Sequence, residues 1–173
     1  YDVLPMAHAN ASSARIRDAW SEAFVDRFAS AHLESVKGRA RALDFGCGHF
    51  ETGERLLRYF DRVDGYDVDP GATLAARRAA APHGNRAFVF DSDDEVPHGA
   101  YDLVVVCSVV QYFPDLDTFR DLLRRCRHWV GADGCVVVAD LIPREYSPAR
   151  DAVDSIRHAI RGRFLGAMTE HIA

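Results

Sequence analysis

Lysine is almost missing from this chain: Lys37 is the only one among 21 basic side chains, and the others are arginine. The arginines form no cluster of the kind that an exposed duplex-binding face needs, and the net charge is −5. Nucleic acid is therefore not an expected partner. No apolar run reaches membrane-spanning length, so no membrane partner is expected either. Cysteine is sparse. Cys47, Cys107, Cys126 and Cys135 show no C-x-x-C spacing, and three lie in apolar or glycine-rich stretches. This pattern predicts buried free thiols in a reducing compartment, not zinc ligands or disulfides. No signal peptide is visible, and a cytoplasmic location is expected. The chain starts at Tyr1 and not at Met, so sequence upstream of it is expected. The acids are spread over different loops, which predicts no metal site, and no His–Asp pair stands out as a base.

What is present is an alternation. The length fits one domain over 1–173. Ile16, Trp20, Phe24 and Phe28 recur at helical spacing and predict an N-terminal cap helix over about 11–35. A cofactor-binding core follows over about 39–143. "RALDFG" reads as a short buried strand ending at glycines, "ETGERLLRYF" as a helix, and "RVDGYDVD" as a second strand with acids at its end. "GATLAARRAAA" reads as a helix stopped by Pro82 and Gly84, and "RAFVFD" as a third strand. "SDDEVPHGA" is an acidic loop. "YDLVVVCSVV" is apolar throughout, the pattern of a strand covered on both faces.

Pro114 and Asp115 open a further helix whose predicted buried face is Phe119, Leu122, Leu123, Cys126 and Trp129. "GADG" then turns the chain into a fifth strand, "CVVVAD". A helical tail is expected from Ser147 to Ala173. Strands alternating with helices predict an α/β fold, a doubly wound Rossmann-like sheet, mostly parallel, with helices on both faces. Ligands of such sheets sit outside the carboxyl ends of the strands, at the switch point. The glycine loop, Asp67, Asp91 and Ser108–Tyr112 all fall at such ends.

Three ligands compete for the glycine loop. A Walker A pattern laid from Gly48 meets Glu54 where its lysine belongs, and a carboxylate there repels phosphate. The dinucleotide pattern G-x-G-x-x-G begins at Gly46 and Gly48 but meets Glu51 at its third glycine, where an acid competes with a pyrophosphate for the helix start. Asp67, nineteen residues past Gly48, stands where a ribose-binding acid belongs, and it suits any adenosine ligand. The third reading uses Asp44, before the glycines. A dinucleotide has no need of an anion there, whereas a ligand carrying an ammonium and a sulfonium does.

From about Arg39 to Pro143 the chain resembles the class I S-adenosylmethionine-dependent methyltransferases. "LDFGCG" is similar to that family's first motif, D-x-G-x-G-x-G, with Phe50 in place of the last glycine. "VDGYDVDP" resembles the second-strand motif, "FVFDSDDEVP" the third-strand segment, and "YDLVVVCSVVQYFPD" the fourth-strand motif with the stretch after it. The resemblance implies that S-adenosyl-L-methionine is the cofactor. It also implies C-terminal hairpin strands beyond the fifth strand, which are apparently missing from this chain.

By the resemblance, Asp44 orients the cofactor's amino group, with an N-cap for the next turn as its alternative role. Gly46, Cys47 and Gly48 approach the methionine portion by their backbone. Asp67 accepts from the ribose hydroxyls with Val68 beside it, and Asp64 and Asp69 are read as solvated turn acids. Asp91 and Ser92 fall where the adenine is contacted, with Asp93 as the alternative register. Ser108 acts through its backbone. Gln111, Tyr112 and His49 are the acceptor-side candidates, and no general base is assigned. The expected function is methyl transfer to oxygen or nitrogen of a small-molecule acceptor, by a monomer or homodimer. An NAD(P)-dependent oxidoreductase and a non-catalytic cofactor-binding relative stay open beside it.

Overall fold

Each short apolar run of the core becomes a strand. In a computed structural model the described residues are 41–139 together with Glu22 and Val25. All of them but Glu22 fall in one unit, Val25–Ile142. The strands are β1 (Arg41–Phe45), β2 (Arg62–Tyr66), β3 (Ala87–Phe90), β4 (Tyr101–Cys107) and β5 (Val130–Ala139). They pair in the order β3-β2-β1-β4-β5, every pair parallel. The order reverses between β1 and β4, and the carboxyl ends of those two strands open the crevice expected of a doubly wound sheet.

Three helices connect the strands: α1 (Glu51–Leu56), α2 (Pro70–Ala80) and α3 (Leu116–Trp129). The pleat sorts their faces. Leu43 and Phe45 of β1, with Val104 and Val106 of β4, pack with Leu122, Cys126 and Trp129 of α3. Asp44 and Gly65 point the other way, toward α1. Right-handed crossovers place α2, which buries Ala72, Ala76 and Ala80, on the same side as α1. Asp69 starts α2 as its N-cap, accepting from the Gly71 N–H at 2.7 Å with Pro70 at the first helical position. Asp115 does the same for α3, accepting from the Thr118 N–H at 2.8 Å.

Several expectations need correction. Leu123 is exposed, because the buried stripe of α3 is only as wide as Leu122, Cys126 and Trp129. The "GADG" stretch is extended and lies within β5; the register slips there, from Tyr101↔Val130 to Leu103↔Cys135. Cys47 and Cys126 are buried and Cys135 is exposed; no disulfide joins the four cysteines.

Asp64 is not a solvated turn acid but is fully buried. Its carboxylate accepts from Arg41 Nε at 2.7 Å, Arg62 Nε at 2.8 Å and the Tyr101 hydroxyl at 2.9 Å. The Arg41 guanidinium also lies over the Tyr101 ring, 4.8 Å from its centre. This knot ties the amino-terminal ends of β1, β2 and β4. Asp69 is the cap just described. The N-terminal cap helix, apart from Glu22 and Val25, and the expected tail from Ser147 to Ala173 lie outside the described residues, as does any strand after Ala139.

Candidate functional site

Gly46 and Gly48 take left-handed backbone angles, φ 73° and 53°, so the chain reverses sharply after β1. The Gly46 and Cys47 N–H groups donate to the Tyr66 carbonyl at 2.8 and 3.0 Å, which ties the loop to the end of β2. A Cβ on Gly46 would lie 2.3 Å from Val109 Cγ2, so only glycine lets the segment after β4 close on the loop. Around Gly48 a Cβ would meet nothing within 4 Å; there the backbone faces open space. Cys47 is buried, and burial raises its thiol pKa far above the ordinary range.

Asp44 is 2% exposed. The Gly53 N–H, in the first turn of α1, donates to its carboxylate. Asp44 is not the N-cap of that helix: Phe50 holds the N-cap position, and Asp44 meets the first turn from β1. The other oxygen, Oδ2, is buried with no hydrogen-bond partner. Burial pushes the carboxyl up to about 7; the Gly53 N–H lowers it in part, and the Glu51 and Asp67 carboxylates raise it again. A buried acceptor in this position suits a cationic group that both neutralises it and donates to it.

Asp67 bridges two loops. Its Oδ2 accepts from the Gly48 N–H at 2.9 Å and its Oδ1 from the Asp69 N–H at 2.9 Å. Each oxygen keeps a lone pair for a further donor. Val68, beside it, is 84% exposed, an apolar surface bare to solvent at the mouth of a groove of about 310 Å³. Asp67, Leu74, Arg77 and Asp91 line the same groove. Asp91 is there, and the alternative register through Asp93 is not: Asp93 is ion-paired with Arg125 of α3. Ser92 is outside that lining and caps the short turn Asp93–Glu95, accepting from the Asp94 N–H at 3.2 Å.

On the β4 side Ser108 holds a left-handed φ of 58°. Its carbonyl accepts from the Gln111 side-chain amide at 2.7 Å, so Gln111 is a brace for the turn. Tyr112 is 71% exposed. His49 lies beside the glycine loop with Nδ1 3.8 Å from Glu51 Oε1. The structure thus brings Asp44, Gly48 and Asp67 together, and joins Asp67 and Val68 to Asp91 along one groove. Sequence reasoning marked Phe50 as a departure from the motif without its conformation, and missed Arg77. Phe50 has φ 73° at the place of the motif's third glycine, so its backbone keeps the glycine conformation that the motif marks. Arg77 carried no signal beyond its α2 position.

Residues 43–136 match the methyltransferase domain family. The chain belongs to this family. The same fold recurs in a Leishmania major S-adenosylmethionine-dependent methyltransferase, 21% identical with a TM-score of 0.61, over 91% of this chain and 68% of that one. It recurs in an S-adenosylmethionine-bound amino pentose methyltransferase from Micromonospora echinaspora involved in calicheamicin biosynthesis, 20% identical, TM-score 0.59, over 81% and 60%. A mitomycin 7-O-methyltransferase is 23% identical, TM-score 0.59, over 82% and 41%. The chain therefore spans less than two thirds of the second and third of these. Its membership makes it an S-adenosylmethionine-dependent methyltransferase domain. The residues fit that cofactor: Asp44 offers a buried, unpartnered acceptor to its ammonium, and no phosphate has to approach the acids of the loop.

Proposed function

We propose that this domain transfers the methyl group of S-adenosylmethionine to an oxygen or nitrogen of a small-molecule acceptor. The observation that carries the reading is the buried Oδ2 of Asp44 at the glycine loop. A pyrophosphate would stand against that acid and Glu51, which disfavours a dinucleotide. When bound, S-adenosylmethionine supplies a methyl group on a sulfonium, which is already a good leaving group.

The chain's own residues then have to bind, orient and exclude water. Asp44 holds the ammonium while Gly53 fixes its carboxylate. Asp67 accepts from the ribose hydroxyls without releasing the Gly48 N–H, and the base lies along Val68 toward Asp91. Val109 holds the segment after β4 against Gly46, which presents Tyr112 to the acceptor. Gln111 keeps the Ser108 carbonyl in place. Of the earlier acceptor-side candidates, Gln111 is tied to the Ser108 carbonyl while Tyr112 is 71% exposed, and no residue is assigned as general base.

Two features support a small acceptor. The sequence has no Lys/Arg cluster and a net charge of −5, and two of the similar structures are named for methylating an amino pentose and mitomycin. The same reading takes the domain as cytoplasmic, a monomer or homodimer; among the described residues no helix is long and apolar enough to cross a membrane.

The test is a thermal-shift series with S-adenosylmethionine, S-adenosylhomocysteine, NAD, NADP and ATP. A ligand at a hundred times its dissociation constant adds about 2.7 kcal/mol of stability. Only the two sulfur ligands are expected to stabilise, and Asp67→Ala is expected to abolish the shift. Stabilisation by NAD or NADP instead would make the domain an oxidoreductase. A screen of small alcohols, phenols and amines with isotopically labelled donor follows. Binding without turnover on any of them would favour a non-catalytic relative, and turnover only on protein or RNA would overturn the small acceptor.

A further inference from the structure

The groove beside Asp67 has an arginine in it. Arg77 stands on the face of α2 that turns toward the end of β3. Its Nε and Nη2 reach the Val89 carbonyl at 3.4 and 3.2 Å, and Nη2 lies 2.6 Å from Asp91 Oδ2. The guanidinium is therefore held by a backbone atom of the sheet while it holds the carboxylate. Asp91 is fixed at its main chain as well, where its N–H donates to Glu95 Oε2 at 3.3 Å.

An ion pair this open to water adds little to stability, because solvent screens it. The Asp91 side chain is 68% exposed and the Arg77 side chain 42%. What the pair does is set a direction. Free in solvent, an aspartate this exposed would sample several rotamers and offer no fixed acceptor. Held through Oδ2, it keeps Oδ1 for a ligand.

We propose that Arg77 is a positioning residue for base selection: it aims the Asp91 carboxylate so that the groove accepts a 6-amino purine and rejects a 6-oxo purine. This rests on the reading that the groove takes the adenosyl end of S-adenosylmethionine. Adenine presents an amino donor, which a carboxylate accepts. Hypoxanthine presents a carbonyl oxygen at the same place, which the carboxylate repels. The arginine itself has donors that would suit the carbonyl. Its Nε and Nη2 are already turned to the Val89 carbonyl and to Asp91.

The experiment compares S-adenosyl-L-homocysteine with S-inosyl-L-homocysteine by calorimetry on the full chain, for the parent, Arg77→Met, Arg77→Lys and Asp91→Asn. The parent is expected to prefer the adenosyl ligand. Arg77→Met is expected to lose about tenfold of that preference, the size of one hydrogen bond to a charged group. Arg77→Lys, which keeps the charge but not the planar fork, should fall between the two. Asp91→Asn should move the preference toward the inosyl ligand.

If Arg77→Met weakens both ligands equally, Arg77 is only structural and the inference falls. If it leaves both unchanged, or strengthens the adenosyl ligand, the inference falls too, in the last case because Arg77 was competing for Asp91. If the parent binds neither ligand, the methyltransferase reading of the site falls first and the inference with it. Matched melting temperatures of the variants establish that the comparison is made on folded protein.

Discussion

The ring of Phe50 occupies the space that a side chain on Gly53 would need: a Cβ on Gly53 would lie 2.3 Å from Phe50 Cε2. The ring is fully buried and also meets Gly65 of β2, whose Cβ would lie 3.1 Å away. A bulky residue has thus replaced the motif's third glycine, and two neighbouring glycines make room for it. Because the Gly53 N–H donates to Asp44, this packing also sets where the Asp44 carboxylate sits.

Gly53→Ala forces Phe50 out of its place and is expected to destabilise the domain by about 1–3 kcal/mol, the usual cost of overpacking. Phe50→Gly relieves a left-handed angle that costs about 1–2 kcal/mol and leaves a cavity that costs more. The net expectation is a loss of about 2–4 kcal/mol. Urea titrations of both variants check the signs; a more stable Phe50→Gly would mean that the ring is not core.

Cofactor affinity should depend on pH through Asp44. Its folded-state pKa is raised to about 7, so in the empty site the carboxyl gains its proton as the pH falls through 7. The ammonium needs the ionised form. Affinity for S-adenosylhomocysteine is expected to rise from pH 6 to pH 8, with a proton released on binding at the lower end, and Asp44→Asn should bind weakly at every pH. Stability runs the opposite way. A carboxyl with a raised pKa keeps its proton in the folded state after the unfolded chain has lost it. Its contribution is therefore greatest at low pH and declines as the pH rises from about 4 through 7. Calorimetry in buffers of different ionisation enthalpy counts the proton.

Tyr112→Ala should separate acceptor from cofactor. The expected result is an acceptor KM raised about tenfold, for a lost contact of hydrogen-bond size, with the S-adenosylhomocysteine Kd unchanged. A changed Kd would move Tyr112 to the cofactor side.

At the other end of the strands, Asp64→Ala leaves Arg41 and Arg62 facing each other without their carboxylate. Breaking a buried pair costs about 3–5 kcal/mol, and the partial exposure of both arginines reduces this to about 2–4 kcal/mol. Tyr101→Phe removes one hydrogen bond to the same carboxylate and should cost about 1–2 kcal/mol. Neither change should alter cofactor affinity once folding is corrected for. Thermal melts with and without S-adenosylhomocysteine test both parts.

The sheet was legible because its strands are short apolar runs punctuated by glycine and by acids, and each period belongs to one element only. Asp44, Gly46, Gly48 and Asp67 were legible because they sit at fixed offsets from strand ends. Asp64 was not, because its partners Arg41, Arg62 and Tyr101 come from three strands, and sequence distance says nothing of their meeting. That Asp93 turns to Arg125, 32 residues away, while Asp91 lines the groove was not legible either. The pairing of Arg77 with Asp91 needed the crossover that brings α2 over β3. The width of the α3 stripe, with Leu123 outside it, needed the sheet beneath it.

The Asp64 knot and the glycine loops lie at opposite ends of the same strands, and this divides the molecule's tolerance of change. Substitutions at Arg41, Arg62 or Tyr101 strike the amount of folded protein in a cell, whatever the acceptor. Under the proposed function, substitutions at the exposed Gln111 and Tyr112 strike what is methylated and leave the core packing standing, whereas Val110 and Phe113 pack on that core. A library built to change acceptor choice should therefore vary Gln111 and Tyr112 and hold the first group fixed. New specificities can then be gathered step by step, without the loss of folded protein that would otherwise end the search.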